Sequence, residues 1–239
     1  MIWLRLQQLA LAPVLGVQAL QVVRRTPRLP EAAGPREGVA GQGPELRLLV
    51  LGDSSAAGVG VATQEAALSG HLVRTIAVEH RVSWHLIART GWTTGRLHQV
   101  LGQTAPRPFD IAVTALGVND TTRLIGPARW RAQTAAVHDL LRAVFKVRRI
   151  YATTVPPLEH FRALPRPLNG VLGHHAARLR STLEEMAAAT EDLRLIAPDW
   201  GLDPALMAAD GFHPGPDIYR GWGAFAGQII RDDLRAMPL

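Results

Sequence analysis

The chain contains no cysteine among its 239 residues. Disulfide bonds, thiolate-bound metals and cysteine nucleophiles are therefore excluded. Lysine is nearly absent as well, with Lys146 the single example, so scattered arginines carry the net charge of +6. No predicted helix combines a continuous basic face with interleaved aromatic residues, the pattern typical of nucleic-acid binding. We therefore predict no nucleic-acid partner.

The chain also lacks a long, uninterrupted hydrophobic run. Residues 1–25 are mostly apolar and predict a helix, but glutamines, Pro13 and Gly16 interrupt them, whereas a spanning helix needs about 20 mainly apolar residues. Arg5 is the only positively charged side chain before Arg24, which disfavours a secretory signal. A helix packed on the domain, an interfacial helix in contact with a membrane and an inserted anchor stay open. We expect a cytoplasmic or peripherally membrane-associated protein rather than a secreted or periplasmic one.

The remaining chain divides into a linker and one domain. Residues 26–44 are rich in proline and glycine and predict a linker, and residues 45–239 suit a single domain. Short apolar runs predict five strands, over Leu46–Leu51, Val82–Ala88, Asp110–Leu116, Arg149–Val155 and Leu193–Ala197. Apolar residues at helical spacing predict helices over Gln64–Glu79, Thr94–Gln103, Pro127–Val144, Leu172–Ala189 and Pro216–Leu234. This alternation predicts an α/β fold with a parallel sheet covered on both faces.

Four polar or glycine-containing motifs lie near the ends of predicted strands. Gly52–Ser54 follows the first strand, Gly91 the second and Gly117–Asp120 the third, while Asp210–His213 lies in the loop beyond the fifth. Sites in parallel sheets form at the carboxyl ends of the strands. We therefore expect these motifs to meet at one edge of the sheet.

The motifs supply the parts of a hydrolytic site. A serine hydroxyl attacks only when a base takes its proton, so we predict Ser54 as nucleophile, His213 as base and Asp210 as the carboxylate that orients the imidazole. The N–H groups of Ser54 and Gly91 and the side-chain amide of Asn119 are the predicted oxyanion donors. Each motif alone also fits local structure, such as a helix cap or a turn. The Gly-x-Ser-x-Gly elbow of α/β-hydrolases is absent.

Together and in this order, the motifs resemble those of the SGNH, or GDSL-type, hydrolases over about residues 46–234. The serine, glycine, asparagine and histidine of the family name correspond to Ser54, Gly91, Asn119 and His213. One departure is Ser55, which stands where the family usually has leucine. The resemblance implies a flavodoxin-like three-layer α/β/α sandwich with a central five-stranded parallel sheet.

The resemblance also implies a function. It indicates a serine esterase that hydrolyses small-molecule acyl esters or thioesters, lysophospholipids among them, through an acyl-enzyme and without metal or cofactor. A carbohydrate O-deacetylase using the same residues is an alternative, and a non-catalytic flavodoxin-like binding module is another. The proline-rich loop 156–167, with Phe161 and Leu164, is a candidate cap over the acyl pocket.

Overall fold

The computed structural model describes residues 2–199, 203–237 and 239. The strands are β1 (Glu37–Ala40), β2 (Glu45–Gly52), β3 (Arg81–Ala88), β4 (Ile111–Ala115), β5 (Arg149–Thr153) and β6 (Leu193–Ile196). The helices are α1 (Ile2–Arg25), α2 (Leu68–Ile76), α3 (Thr94–Leu101), α4 (Val118–Thr122), α5 (Pro127–Ala143), α6 (Leu168–Ala188) and α7 (Pro216–Ala236). Every predicted strand and helix is therefore present, within a few residues of its expected bounds.

The strands form one sheet in the order β1-β3-β2-β4-β5-β6. Neighbours from β3 to β6 run parallel, whereas β1 pairs antiparallel with β3. The five predicted parallel strands are all present, and β1, which lies inside the predicted linker 26–44, adds a sixth strand at the edge of the sheet. Residues 37–39 are exposed, so β1 has no buried apolar pattern, and its backbone pairing with β3 defines it.

Both faces of the sheet are covered by helices, as expected for a three-layer sandwich. Side chains of successive strand residues point to opposite faces, and β2 shows this directly. Leu48 and Val50 belong to the core beneath α2 and α7, while Leu49 and Leu51 belong to the core beneath α3, α5 and α6. All four are fully buried, which explains why β2 reads as a continuous apolar run.

Helix α1 lies against the start of α6. The Gln18 amide donates to the Arg166 carbonyl at 2.6 Å, and its oxygen accepts from the Leu168 N–H at 3.2 Å. Leu15 and Val22, on the same face of α1, pack at the edge of the core. Within the part of the chain that the structure describes, no helix has the length and hydrophobicity to cross a bilayer.

The strand order places a crevice between β2 and β4. The chain leaves β2 for β3 on one side and later enters β4 on the other, so the direction of winding reverses between these two strands. Ligands of open α/β sheets bind at such a point, beyond the carboxyl ends of the strands. Ser54 lies two residues after β2, and Asn119 lies in α4, directly after β4. The topology thus brings these two predicted site residues to the same crevice.

Candidate active site

Ser54, His213 and Asp210 form one chain of hydrogen bonds. Ser54 Oγ lies 2.9 Å from His213 Nε2, and His213 Nδ1 lies 2.5 Å from Asp210 Oδ2. The Asp210 side chain has no exposed surface, while the His213 side chain is 17% exposed. This arrangement allows the imidazole to accept the serine proton while the carboxylate fixes its tautomer.

Backbone hydrogen bonds hold the Asp210 carboxylate in place. Its Oδ1 accepts from the N–H groups of Phe212 at 2.9 Å and His213 at 3.0 Å. Burial by itself raises the pKa of Asp210, but hydrogen bonds from the His213 ring and from these two N–H groups outweigh it and hold the pKa below its ordinary value. Asp210 is therefore ionised at neutral pH and can stabilise an imidazolium.

A tight approach of β2 to β4 shapes the turn that presents Ser54. A Cβ added to Gly52 would lie 2.4 Å from the Ala115 carbonyl oxygen, so only glycine fits there. The Asp53 carboxylate accepts from the Ser55 N–H at 3.0 Å and from the Ser55 hydroxyl at 2.8 Å. Ser55 is thus turned toward Asp53, which leaves Ser54 as the serine that contacts the imidazole.

Asp53 is itself an unusual group, buried directly beside the serine. Burial raises its pKa to about 6, although hydrogen bonds from Ser55 and the positive charge of protonated His213 partly oppose that shift. The charge of Asp120 adds to the increase.

Candidate oxyanion donors surround the same point. Among the described residues, the backbone N–H groups of Ser54 and Gly91 have no protein acceptor. The Asn119 amide donates to the Trp92 carbonyl at 3.1 Å, and its nitrogen lies 3.4 Å from Asp53 Oδ2. The latter contact is at the weak limit of hydrogen-bond geometry. Two free N–H groups and one loosely held amide hydrogen can therefore bind an oxyanion.

Asp120 joins the loops that carry these donors, a role that the sequence analysis missed. It is fully buried, and its carboxylate accepts from the Thr94 N–H at 3.1 Å and from the Thr94 hydroxyl at 3.0 Å. The Trp130 indole donates to the same hydroxyl at 3.0 Å. Asp120 thereby fixes α4, which carries Asn119, against the start of α3, which follows Gly91. In the sequence, the only indication of this role is that Asp120 directly follows Asn119 in the third motif.

Gly117 lies directly before α4 in a backbone conformation that favours glycine. Its φ is +115°, and a Cβ there would lie 2.4 Å from Val155 Cγ2. The glycine of this motif thus allows β4 to pass directly into α4 beneath the loop that follows β5.

Two spaces adjoin the triad. A chamber of about 50 Å³ lies beside Ser54 and is lined largely by apolar side chains, Phe161 among them. A larger groove between α1 and α6 contacts His213. The loop 156–167 contributes to both, since Leu164 lines the groove. Among the described residues, no three His, Asp or Glu side chains are grouped to hold a metal ion.

Comparison with known proteins gives the family. Residues 50–220 match the model of the GDSL-like lipase/acylhydrolase family. The chain belongs to this family. This finding confirms the family resemblance drawn from the four motifs.

One related sequence is a GDSL-like esterase of Mycobacterium tuberculosis, which is 29% identical over 188 residues. The match covers 73% of this chain and only 58% of that esterase.

Solved structures show the same fold. A member of the lipolytic G-D-S-L family from Veillonella parvula superposes with a TM-score of 0.61 at 13% identity, covering 77% of this chain and 97% of its own. A carbohydrate acetylesterase family member from Sinorhizobium meliloti superposes with a TM-score of 0.58 at 20% identity, covering 80% of this chain and 99% of its own. The three-layer α/β/α fold predicted from the sequence is thus confirmed.

Proposed function

We propose that this protein is a serine esterase that hydrolyses carboxylic esters through an acyl-enzyme on Ser54. The observation that carries the proposal is the hydrogen-bonded chain from Ser54 through His213 to Asp210. A flavodoxin-like binding module has no need of a buried carboxylate, an imidazole and a serine hydroxyl aligned at one point. Membership of a lipase/acylhydrolase family supports the same conclusion.

In the proposed reaction, each of these groups has a role. His213 Nε2 takes the proton of Ser54 as its Oγ bonds to the ester carbonyl carbon. The oxyanion is held by the N–H groups of Ser54 and Gly91 and by the Asn119 amide. The carbon–oxygen bond to the alcohol then breaks, and the leaving oxygen receives the proton from His213. Water attacks the acyl-enzyme with His213 again as base, which releases the acid and restores Ser54.

The size of the chamber beside Ser54 points to a short acyl group. A water molecule needs about 10–15 Å³ of such space, so about 50 Å³ accommodates only a few heavy atoms. Acetyl and other short-chain esters or thioesters therefore fit better than lysophospholipids with a long acyl chain.

The proposal is tested with p-nitrophenyl esters from acetyl to palmitoyl. We expect turnover that is highest for the short chains and disappears in Ser54→Ala. Ser181→Ala, on the exposed face of α6, makes the same substitution away from the site and retains activity. Wild-type turnover that persists in Ser54→Ala would contradict the assignment of the nucleophile.

A carbohydrate O-deacetylase is the second candidate, because the chamber also suits the acetyl group of an acetylated sugar. The groove beside His213 favours an apolar alcohol instead, since leucine, valine and alanine side chains form much of its wall. Acetate release from peracetylated xylose and from hexyl acetate, measured side by side, distinguishes the two. A higher kcat/KM for the sugar would favour the deacetylase.

The loop 156–167 is proposed as the cap of the acyl chamber. Its Ala163 N–H donates to the Gly211 carbonyl at 3.0 Å, and Phe161 packs edge-on against Phe212 at 5.3 Å between ring centroids. Replacing the loop with a short linker should change the preference for acyl-chain length. An unchanged preference for acyl-chain length would show that the loop does not cap the chamber.

A further inference from the structure

A large groove between α1 and α6 lies next to the triad. It encloses about 1,090 Å³, slightly more than the roughly 300–1,000 Å³ that is usual for small-molecule sites. Leu15, Ala19 and Val22 of α1 form one wall, and Leu168, Val171 and Leu172 of α6 form the other. The groove leads to His213.

The wall contributed by α1 is fixed rather than loosely placed. Gln18 bonds to the backbone on both sides of the start of α6, and Leu15 and Val22, three residues before it and four after it, are half-buried against the core. Helix α1 also lies outside residues 50–220, the part of the chain that matches the family model. One wall of the groove therefore lies outside the part of the chain that matches the family model.

The two spaces meet the triad at different residues. Ser54 lines the small chamber but not the groove, whereas His213 lines both. In acyl transfer to a serine, the acyl group bonds to the serine oxygen, and the histidine must reach the leaving oxygen to protonate it. The space that contacts only the histidine is therefore on the side of the leaving alcohol.

We propose that the groove between α1 and α6 binds the hydrocarbon chain of the alcohol part of the ester, while the chamber beside Ser54 takes a short acyl group. The proposal rests on the esterase function proposed above. It makes the preferred substrates short-chain esters of long aliphatic alcohols. Burying one methylene contributes about 0.8 kcal/mol, so kcat/KM rises up to about fourfold for each methylene added to the alcohol until the groove is full.

Two series of esters test this assignment in the full-length protein. One series keeps acetate and lengthens the alcohol from ethyl to dodecyl, and the other keeps ethanol and lengthens the acid from acetate to dodecanoate. Acid release in a pH-stat gives kcat/KM for each ester. We expect the value to rise along the first series and to fall along the second once the acyl group outgrows the chamber.

Substitutions in α1 test whether the dependence on alcohol length arises in the groove. Ala19→Trp fills the groove, and we expect it to lower the preference for dodecyl over ethyl acetate by about 15-fold, equivalent to two buried methylenes. Gly16→Leu is a second filling variant at a position where an added Cβ has no neighbour within 4 Å. Leu20→Trp is the matched control, because Leu20 is 58% exposed and does not line the groove.

The outcomes separate this proposal from the proposed function. Suppose that ethyl acetate hydrolysis depends on Ser54 but the preference for dodecyl over ethyl acetate is equal in wild type, Ala19→Trp and Gly16→Leu. This result would refute alcohol binding in the groove and leave the proposed esterase function standing. A rise along the acid series that Ala19→Trp abolishes would place the acyl chain in the groove and refute the assignment of sides. If no ester is hydrolysed in a way that requires Ser54, both the proposed esterase function and the role of the groove are refuted.

Discussion

Comparing the stability of wild type and Asp53→Asn at several pH values tests whether the buried carboxyl group beside Ser54 is protonated in the folded protein. Burial raises the pKa of Asp53 from 3.8 to about 6. The folded protein therefore binds its proton more tightly than the unfolded chain, and the resulting stability is fully present below about pH 3.8 and lost as the pH rises through about 6. Two pKa units correspond to about 3 kcal/mol. Asparagine does not titrate, so Asp53→Asn lacks this dependence.

Urea denaturation at several pH values between about 4 and 7 measures the effect. The free energy of unfolding of wild type minus that of Asp53→Asn should decrease by about 2–3 kcal/mol across this range. Asp53→Asn also weakens the hydrogen bonds with Ser55, but this loss of stability is the same at every pH and does not change the slope. Asp217→Asn, at an exposed carboxylate on α7, provides a control that involves no burial. A difference that stays constant or grows with pH would show that Asp53 is ionised in the folded protein at low pH and would refute the reasoning.

Three other substitutions test separate parts of the site and core. Asn119→Ala removes an oxyanion donor and should lower kcat about 100- to 1000-fold in ester hydrolysis, with a smaller effect on KM; an unchanged kcat would exclude that role. Asp120→Ala leaves the buried Thr94 N–H without its acceptor and should cost about 1–3 kcal/mol in urea denaturation; no loss would contradict its anchoring role. Burial and nearby Arg142 lower the pKa of His138 from 6.5 to about 4, so its neutral form contributes stability that is lost as the pH falls from about 6.5 toward 4. Relative to His138→Gln, wild type should lose about 3 kcal/mol over that interval, and a parallel pH dependence would argue against a buried neutral imidazole.

The residues that meet at the crevice were predictable because their signals are local. The first and third motifs follow β2 and β4, which are buried and strongly apolar, while Gly91 follows the half-buried β3. The parallel sheet aligns the ends of these strands. The pairing of Asp210 with His213 is also local, because the two are three residues apart in one turn. Ser54 and His213 are far apart in sequence, and their 2.9 Å contact requires the long loop between β6 and α7 to reach back to the end of β2.

Other features depend on contacts that the sequence does not display. Strand β1 has an exposed, charged and glycine-containing sequence, and only its pairing with the edge of β3 makes it a strand. The position of α1 depends on hydrogen bonds from Gln18 to residues about 150 positions away. Since α1 forms one wall of the groove, the sequence predicted the catalytic residues but not the shape of the surface beside them. Membrane contact through residues 1–25 stays a prediction.

The most direct test of the account is to identify the residue that carries the acyl group. The protein would be mixed with p-nitrophenyl acetate, quenched in acid during turnover, digested and examined by mass spectrometry. We expect one added acetyl group on the peptide that contains Ser54, located on Ser54 by fragmentation and absent from Ser54→Ala. Acetyl on Ser55 or on another residue, or turnover with no acetylated peptide in a quench fast enough to capture the burst, would contradict the proposed mechanism.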